Sequence, residues 1–345
     1  MSATLLEPSS QTRSLWSRLL RRDATRFVGI DLGVDRVHVS SLGGLGNQSL
    51  RSPQSLQWLS RSQCSLPIDP HCVPGPDLVE TLCETLRECL PRCVDGEHQY
   101  AAIALPPPWI HYETTSLAEI ARSQSTCDSM FGASIFQSPA HLNHWPVCDG
   151  SGQQVIAATA EKAACAVAQT IASVGYQVQS ILPHGEVLIH AAEELTAVPA
   201  SVVVLLEPFG GLIAIENLGR CGMCRPLPAC GLTDGPIDRV ERIEAWLATV
   251  AEEVTATIRY VDRLRGASNS ARPVLLCGDV ATIAGVDEVL ATLLERPVAT
   301  WQYSKWIRPQ GSRDRGEEIT RDDPSRAVSL SLAYCAAARH FQGSR

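Results

Sequence analysis

Acidic residues beside glycines occupy two turns of this sequence, and each turn joins two stretches with the apolar alternation of strands. The first turn holds Asp31 and Gly33 within FVGIDLGVDRVHVSSL. The second turn holds Glu207, Gly210 and Gly211 within SVVVLLEPFGGLIAIENLG. A hairpin tip of this kind can present backbone N–H groups to a phosphate, and its carboxylate can hold Mg²⁺ through water. The same residue types also occur in ordinary hairpin turns, and that interpretation stays open.

Apolar periodicity along the rest of the chain predicts alternating strands and helices. A triple proline at 106–108 interrupts the strand pattern of YAAIALPPPWIHYETTSL. A strand, a glycine turn at Gly278 and a helix come late in the chain, which then ends in an alanine-rich helix. Further strands are predicted at 155–158, 178–181 and 201–206, and helices at 161–174, 185–195 and 237–264. This order is typical of an α/β protein.

Composition excludes several classes of protein. The chain has 345 residues, enough for about two domains. Its net charge of -8 argues against a nucleic-acid partner, which normally requires a basic surface. No apolar run approaches the roughly 20 residues of a membrane-spanning helix, and no signal-peptide pattern opens the chain. We therefore predict a cytoplasmic protein.

Two other features of the sequence allow alternative interpretations. The thirteen cysteines are predicted to be reduced, but Cys221 and Cys224, with Cys230 nearby, have a metal-like spacing. A structural zinc site would need a fourth ligand. His141 and His144 are expected to be loop residues rather than metal ligands. Residues 1–26 are predicted to form a flexible arm, whose SLWSRLLRR segment could lie on a membrane or on a partner.

Several stretches, in this order, resemble the actin-like nucleotide-binding superfamily and, more narrowly, the type IV pilus assembly protein PilM family. VGIDLGVDRVHVSSL is similar to the opening hairpin of that family, and AEEVTATIRYVDR to one of its helices. AAIALPPPWIHYETTSL and AEKAACAVAQTIASVGYQVQSILP resemble the segments that enter and leave a small inserted domain. VLLCGDVATIAGVDEVLATLLERPV resembles its last glycine turn and helix. The resemblance implies an actin-like two-lobed ATPase fold with a small inserted α/β subdomain in the first lobe.

The resemblance also implies a division of the chain. The arm at 1–26 precedes a first lobe, which is built from 27–98 together with 182–200 and 325–345. An inserted, partner-binding subdomain occupies 99–181. The second lobe spans 201–324, and the part of it that would cover a base is expected to be reduced, because the span between Cys221 and Glu252 is short for the family.

In proteins of this family a nucleotide lies between the two lobes, so the resemblance implies a set of contact residues. Asp31 would hold Mg²⁺ if a nucleotide binds. The other implied ATP-contacting residues come from the three turns and from the helix before the last turn: Gly33, Val34, Glu207, Gly210, Gly211, Glu253, Thr257 and Gly278.

The same three turns depart from the family pattern, and the third reads Gly278-Asp279-Val280 where successive glycines are usual. Val34 supplies no hydroxyl donor, and Asp35 brings a negative charge toward a polyanion unless Arg36 or Mg²⁺ offsets it. In the second turn Glu207 is one methylene longer than the usual aspartate, and Pro208 removes a backbone donor. We therefore predict a pseudo-ATPase scaffold with degenerate ATP binding and no catalytic residues. A functional but weak nucleotide binder and an active ATPase or small-molecule kinase stay open as alternatives.

The resemblance further implies a partner. Residues from about 100 to 178 would bind the cytoplasmic N-terminal peptide of an inner-membrane protein similar to PilN. Docking of an extended segment on a sheet edge or in a groove is a recurring mode of recognition. The protein would then be attached peripherally to the inner membrane through that partner. A cytoplasmic component of a related type II secretion apparatus is the other interpretation of this kind.

Overall fold

The structure is a computed structural model, and the part of the chain that it describes comprises twelve ranges. These are residues 25–33, 36–44, 56–65, 76–90, 98–116, 139–146, 153–196, 201–217, 220–229, 239–265, 273–302 and 323–343. Val34, Cys230 and most of the predicted N-terminal arm lie outside these residues.

Strands and helices alternate along the described chain. The strands are β1 Thr25–Leu32, β2 Arg36–Gly44, β3 Leu56–Ser65, β4 His98–Ala104, β5 His111–Ser116, β6 Pro139–Pro146, β7 Gln153–Ala160, β8 Gln177–Ile181, β9 Val202–Glu207, β10 Gly210–Asn217, β11 Arg220–Leu227, β12 Val274–Cys277 and β13 Val298–Thr300. The helices are α1 Pro76–Cys89, α2 Glu161–Ser173, α3 His184–Leu195, α4 Arg239–Arg265, α5 Val286–Leu294 and α6 Ala327–Gly343. Single 3₁₀ turns cover Pro107–Trp109, Val280–Thr282 and Pro324–Arg326.

Two five-stranded sheets have the same strand order. The first sheet runs β3-β2-β1-β4-β8 and the second runs β11-β10-β9-β12-β13. In each sheet the three strands joined by hairpins are antiparallel, and the last two strands are added in parallel. The first sheet and the second sheet therefore form two lobes with one topology.

Strand β9 is buried on both faces, which explains its uninterrupted apolar sequence. Val202, Val204 and Leu206 belong to a core that they share with α4 and α5. The alternate residues, Val203 and Leu205, belong to the larger core that includes α3, α6 and the first sheet. Because successive side chains of a strand point to opposite faces, this one strand contributes to both cores.

Helix α6 packs closely on the first sheet. A Cβ atom placed on Gly29 of β1 would lie 1.7 Å from the carbonyl oxygen of Ser329 in α6. The hydroxyl groups of Ser40 and Ser329 are 2.8 Å apart and share a hydrogen bond in the same buried interface. Close approach of this kind requires small residues, as the alanine-rich pattern of the last helix predicts.

Helix α3 lies between the two lobes. It contacts α6 on the side of the first lobe and β9, β10 and β11 of the second. Gly185 lies at its first turn, and a Cβ atom there would be 2.7 Å from the Cys224 sulfur of β11. The start of α3 is therefore fixed tightly against the second sheet.

A third, antiparallel sheet of three strands, ordered β5-β7-β6, is inserted between β4 and α2. Strands β4 and β8 lie at the two ends of the predicted insert at 99–181, and both pair within the first sheet. The inserted sheet thus occupies the narrower range 111–160. A 3₁₀ turn at the prolines, with Trp109 buried, separates it from β4.

The described residues include no helix with the length and hydropathy needed to cross a membrane.

Candidate functional site

The turns of the two hairpins face each other across a cleft of about 330 Å³. Its polar lining comes from β1, β2, α3, the end of β9 and the turn after β12. The polar and charged side chains that line it are Asp31, Arg36, His38, His184, Glu207 and Asp279. The cleft therefore collects ionisable groups from both lobes.

Asp31 is held by a histidine from the start of α3. The Nε2 atom of His184 lies 3.0 Å from Oδ1 of Asp31, although the two residues are 153 positions apart. Both side chains are buried, with exposed fractions of 7% for Asp31 and 1% for His184. A carboxylate oxygen can only accept, so Nε2 of His184 donates this hydrogen bond. The acidic residue at the first hairpin tip is thus engaged by a protein donor.

His38 pairs with Asp31 across the first hairpin and lines the same cleft. Its Nδ1 atom lies 3.0 Å from the carbonyl oxygen of Ser325. Burial lowers the pKa of His38 below its ordinary value of 6.5. The nearby carboxylates of Asp31 and Asp279 act in the opposite direction, but each has a smaller effect. The neutral ring must donate from Nδ1, because a carbonyl accepts only; Nε2 is then an acceptor.

The second hairpin is locked to the turn after β12. The backbone N–H of Asp279 donates to Oε1 of Glu207 over 3.3 Å. Gly278 adopts φ of 96° here, and a Cβ atom on it would lie 2.4 Å from the carbonyl oxygen of Leu206. Only glycine fits this approach. Glu207 is therefore a structural acceptor for the neighbouring turn.

An ion pair crosses the cleft between the lobes. Nη1 of Arg36, in β2, lies 2.5 Å from Oδ2 of Asp279, in the turn after β12. The side chain of Asp279 is 12% exposed and that of Arg36 is 34% exposed. Partial burial strengthens such a pair relative to one on the open surface. The ion pair joins the two sheets at the side of the cleft where the hairpin turns meet.

The charge of the cleft is negative. Its lining holds the three carboxylates of Asp31, Glu207 and Asp279 but one guanidinium, that of Arg36. Apart from the two histidines, the charged side chains of the described lining have a summed formal charge of -2. A polyphosphate would meet this charge at short range, and its binding would compete with the Arg36–Asp279 ion pair. Without a cation that offsets this charge, the residues present do not fit a nucleotide polyphosphate.

The remainder of the cleft is apolar and partly aromatic. These walls come from the start of the inserted sheet and from the β9–β10 and β11 region. The apolar residues that line the cleft are Pro107, Ile110, Tyr112, Leu205, Phe209, Leu212, Pro226 and Leu227. The arrangement can hold a small ligand with one polar end and one apolar end.

The structure brings together some of the predicted site residues and separates others. Asp31, Gly33, Glu207, Gly210 and Gly211 all line the cleft. The predicted turn residue Gly278 supports the cleft through its contact with Leu206 and Glu207 and is followed by Asp279, which lines it. Val34 lies outside the described residues.

Two predicted contacts on α4 lie elsewhere. Glu253 is not among the lining residues, and its Oε2 forms a 2.7 Å ion pair with Nη2 of Arg225 on β11. Thr257 is buried and donates its hydroxyl to the carbonyl oxygen of Glu253 over 2.7 Å. Both side chains have structural partners within the second lobe.

Several lining residues were not recognised as site residues from the sequence, among them His38, His184 and Tyr112. These three residues carry no motif, because they reach the cleft from distant segments. The sequence did contain one indication for His38. If β1 and β2 form a hairpin in the observed register, His38 of β2 lies directly opposite Asp31 of β1. The approach of His184 and Tyr112 depends on tertiary packing.

The cysteine pair of β11 is buried, and Cys230, the third cysteine of the predicted spacing, lies outside the described residues. A bulge at Gly222 shifts the register of β11, so that Cys221 and Cys224 both belong to the core shared with α3. Burial raises the pKa of Cys221 well above its ordinary value of 9.0. No group of three or more histidine, cysteine or acidic residues suited to a metal occurs among the residues that the structure describes.

Comparisons of sequence and of structure gave different results. No family model matches the chain, and no curated protein matches it by sequence. A solved structure of the PilM-PilN type IV pilus biogenesis complex is similar with a TM-score of 0.63 at 14% identity, over 90% of this chain and 98% of that chain.

Two other solved structures are more distant. The ethanolamine utilization protein EutJ from Carboxydothermus hydrogenoformans matches with a TM-score of 0.45 at 15% identity, over 94% of this chain and 97% of that one. MreB5 of Spiroplasma citri bound to ADP matches with a TM-score of 0.45 at 9% identity, over 93% and 97% of the two chains. The similarity to the pilus complex confirms the predicted actin-like fold, and the chain is PilM-like in its fold.

Proposed function

We propose that this protein is a cytoplasmic, actin-like scaffold of type IV pilus assembly or of a related envelope secretion machine, and that it works without ATP hydrolysis. The observation that carries the proposal is the structural similarity to the PilM-PilN complex, which extends over 90% of this chain and 98% of the other. The inserted three-stranded sheet, which is separate from the two five-stranded sheets, adds a further surface for a partner.

The partner in this proposal is an inner-membrane protein similar to PilN, bound through its cytoplasmic N-terminal peptide by residues from about 100 to 178. The inserted sheet has the edges that such binding needs, because β5 and β6 each pair with β7 alone among the described strands. Strand β6 also contacts β11. We therefore assign the peptide to the edge of β5, where an added strand would satisfy open backbone groups. Attachment to the inner membrane would follow from this contact.

The proposed lack of ATP chemistry is supported by the cleft. A guanidinium and a carboxylate from opposite lobes already pair where the two hairpin turns meet, and the lining is negative. Phosphoryl transfer depends on positive charge around the phosphates. The alternative, a nucleotide-binding member of the actin-like superfamily, is favoured by the presence of Asp31, Gly33, Gly210 and Gly211 around one cleft.

Co-purification tests the partner. The tagged chain is co-expressed with a single-span PilN-like protein and with the same protein lacking its short cytoplasmic N-terminus. We expect the full-length partner to be retained and the truncated one to be lost. Retention of the truncated partner would show that the peptide is not the contact, and absence of both would argue against the scaffold.

Proline substitution locates the contact. Adjacent positions of a strand direct their N–H groups to opposite sides, so Thr114→Pro and Thr115→Pro remove one donor facing β7 and one facing the open edge of β5. We expect one variant to lose stability and the other to lose the partner while remaining folded. Retention of the partner by both folded variants would move the contact away from this edge.

Calorimetric titration with Mg²⁺-ATP tests whether the protein binds a nucleotide. We expect no saturable binding in the micromolar range. Micromolar, Mg²⁺-dependent binding would replace the pseudo-ATPase proposal by the alternative, and it would leave the partner experiment unaffected.

A further inference from the structure

We propose that the cleft between the lobes is a binding site for an amphipathic cation, an ammonium or guanidinium group attached to a small apolar body. The inference goes beyond the scaffold function and does not depend on the pilus partner. It rests on the charge of the lining, on the chemistry of two buried histidines and on the aromatic walls.

The first argument is charge. Three carboxylates and one guanidinium line the cleft, so a cation entering it gains attraction and an anion meets repulsion. The guanidinium of Arg36 already lies 2.5 Å from a carboxylate oxygen of Asp279. The protein itself thus places a cationic group of the proposed kind in this cleft.

The second argument is the donor and acceptor pattern. His38 is 5% exposed, and its Nε2 atom lies 4.0 Å from Oδ1 of Asp279 but has no hydrogen-bond partner among the described residues. Because Nδ1 donates to the carbonyl oxygen of Ser325, Nε2 of the neutral ring presents a lone pair. A buried acceptor of this kind requires a donor. An ammonium or guanidinium group supplies N–H donors and has no lone pair for an acceptor to meet.

His184 repeats this pattern on the opposite side of Asp31. Its Nε2 atom donates to Oδ1 of Asp31 over 3.0 Å. Its Nδ1 atom is buried and has no hydrogen-bond partner in the described part of the chain. In the neutral ring this nitrogen is also an acceptor. Two buried imidazoles that line one cleft therefore each have a ring nitrogen without a hydrogen-bond partner among the described residues.

The third argument is the apolar wall. Phe209 and Tyr112 line the cleft together with Leu212 and Leu227. Aromatic faces attract organic cations, and aliphatic neighbours remove the apolar body of the ligand from water. A volume of about 330 Å³ is at the small end of the range for ligand sites, which suits one side chain or a small amine.

Calorimetric titration of the full chain with a matched set of probes tests the site. The set is phenylpropylamine, its neutral counterpart phenylpropanol and its anionic counterpart phenylpropionate. We expect saturable binding of the amine, binding of the alcohol at least about tenfold weaker, and no binding of the carboxylate. Equal affinity for amine and alcohol would overturn the proposal, because it would identify a purely apolar pocket. Preference for the carboxylate would overturn it as well.

Two variants locate the site. Glu207→Gln keeps the acceptor for the Asp279 N–H but removes the charge, so we expect amine binding to weaken about tenfold. Arg36→Gln removes the resident guanidinium, so amine binding should tighten; a polyphosphate ligand would respond in the opposite direction. The matched control is Glu253→Gln, an acidic residue outside the cleft, which should leave binding unchanged. Equal effects of Glu207→Gln and Glu253→Gln would overturn the site.

The natural cation can be free or part of a polypeptide, and one further arm distinguishes the two sources. An acetylated, amidated Leu-Arg-Leu peptide is titrated beside phenylpropylamine. Tighter binding of the peptide supports a partner side chain as occupant, and tighter binding of the amine supports a free small molecule. Failure of both ligands would overturn the proposal. The co-purification experiment uses the edge of β5 and would keep its outcome in either case.

Discussion

The two lobes share one strand order, yet their hairpin turns hold different chemistry. In the first lobe the acidic residue of the turn, Asp31, is bonded to a side chain from α3. In the second lobe the equivalent residue, Glu207, accepts a backbone N–H from the turn after β12. The first turn is thus bonded to a side-chain ring nitrogen and the second to the main chain. Topology tolerates this divergence, because strand pairing depends on backbone and core residues rather than on the residues at the tips.

The lobes also differ in what lies against the closely packed glycine of each sheet. Gly29 of the first sheet lies almost in contact with the backbone of α6, whereas the close glycine of the second sheet, Gly211, approaches its own hairpin neighbour Leu205. One lobe therefore depends on a helix-to-sheet contact and the other on a contact within the sheet. The following predictions test these differences, beginning with the largest effect.

Alanine at the two close glycines should destabilise the protein most. The Cβ of Gly29→Ala would lie 1.7 Å from the Ser329 oxygen, and that of Gly211→Ala 2.1 Å from the Leu205 oxygen. Each should lower the free energy of unfolding by about 3 kcal/mol or more, measured by urea denaturation. Gly285→Ala is the control: it has φ of 87° and open space around the new atom, so a loss of about 1 kcal/mol is expected. A loss as small as this control at Gly29 would contradict the close contact with α6.

The ion pair between the lobes should contribute more than one within a lobe. A double-mutant cycle with Arg36→Gln and Asp279→Asn should give a coupling free energy of about 1–2 kcal/mol. The control cycle uses Arg225 and Glu253 of the second lobe, whose side chains are 49% and 36% exposed. Their coupling should be below about 0.5 kcal/mol. Equal values in urea denaturation would remove the proposed link between the sheets.

Protonation of His38 should weaken the fold in mildly acidic solution. Burial lowers the pKa of His38 in the folded chain below 6.5, so the unfolded chain binds the proton more strongly. Stability therefore falls as the pH drops below about 6.5, and the loss ends once the pH passes the folded pKa. Asp31 and Asp279 oppose this shift, while Arg36 and Arg326 reinforce it.

The measurement is the urea midpoint between pH 5 and 8 for wild type and for His38→Gln. The variant should show a flatter profile below pH 6.5 than wild type, by less than about 1 kcal/mol. Burial also lowers the pKa of His190 of α3, so His190→Gln should flatten the profile in the same direction. Identical profiles for wild type and His38→Gln would mean that His38 does not titrate differently in the two states.

The smallest effect concerns thiol reactivity and leaves stability unchanged. Cys165 of α2 is exposed, whereas Cys221, Cys224 and Cys277 of the second lobe are buried. Burial raises the pKa of Cys221 and Cys277 well above 9.0, which suppresses the reactive thiolate. Alkylation of the native protein followed by peptide mass analysis should modify Cys165 before Cys221, Cys224 and Cys277. Early modification of Cys277 would indicate that the second lobe opens readily.

Local patterns in the sequence were sufficient to predict most of the helices and strands. The helix predicted at 237–264 is α4 at Arg239–Arg265, and the one at 161–174 is α2 at Glu161–Ser173. Both have apolar residues at helical spacing over many turns, and such a pattern depends on near neighbours alone. The hairpins were recognisable for the same reason, since turn residues lie beside the strands that they join.

The chemistry of the cleft depends on contacts that local patterns do not encode. His184 reaches Asp31 over 153 positions and Asp279 reaches Glu207 over 72. Nothing in the spacing of these residues distinguishes them from solvated side chains. Glu253 and Thr257 were instead predicted as site residues and are not among those that line the cleft. The family resemblance implied that they contact a ligand, but on α4 both residues bond to groups of their own lobe.

The placement of α3 has a mechanical consequence. Its first turn holds Asp31 through His184 on one side and packs Gly185 against Cys224 on the other. Helix α3 is thus in contact with both lobes. A rotation of one lobe relative to the other must therefore move α3 or break one of these contacts. In the proposed complex, a peptide on the edge of β5 would bind a strand that contributes Tyr112 to the lining of the same cleft, to which α3 contributes His184.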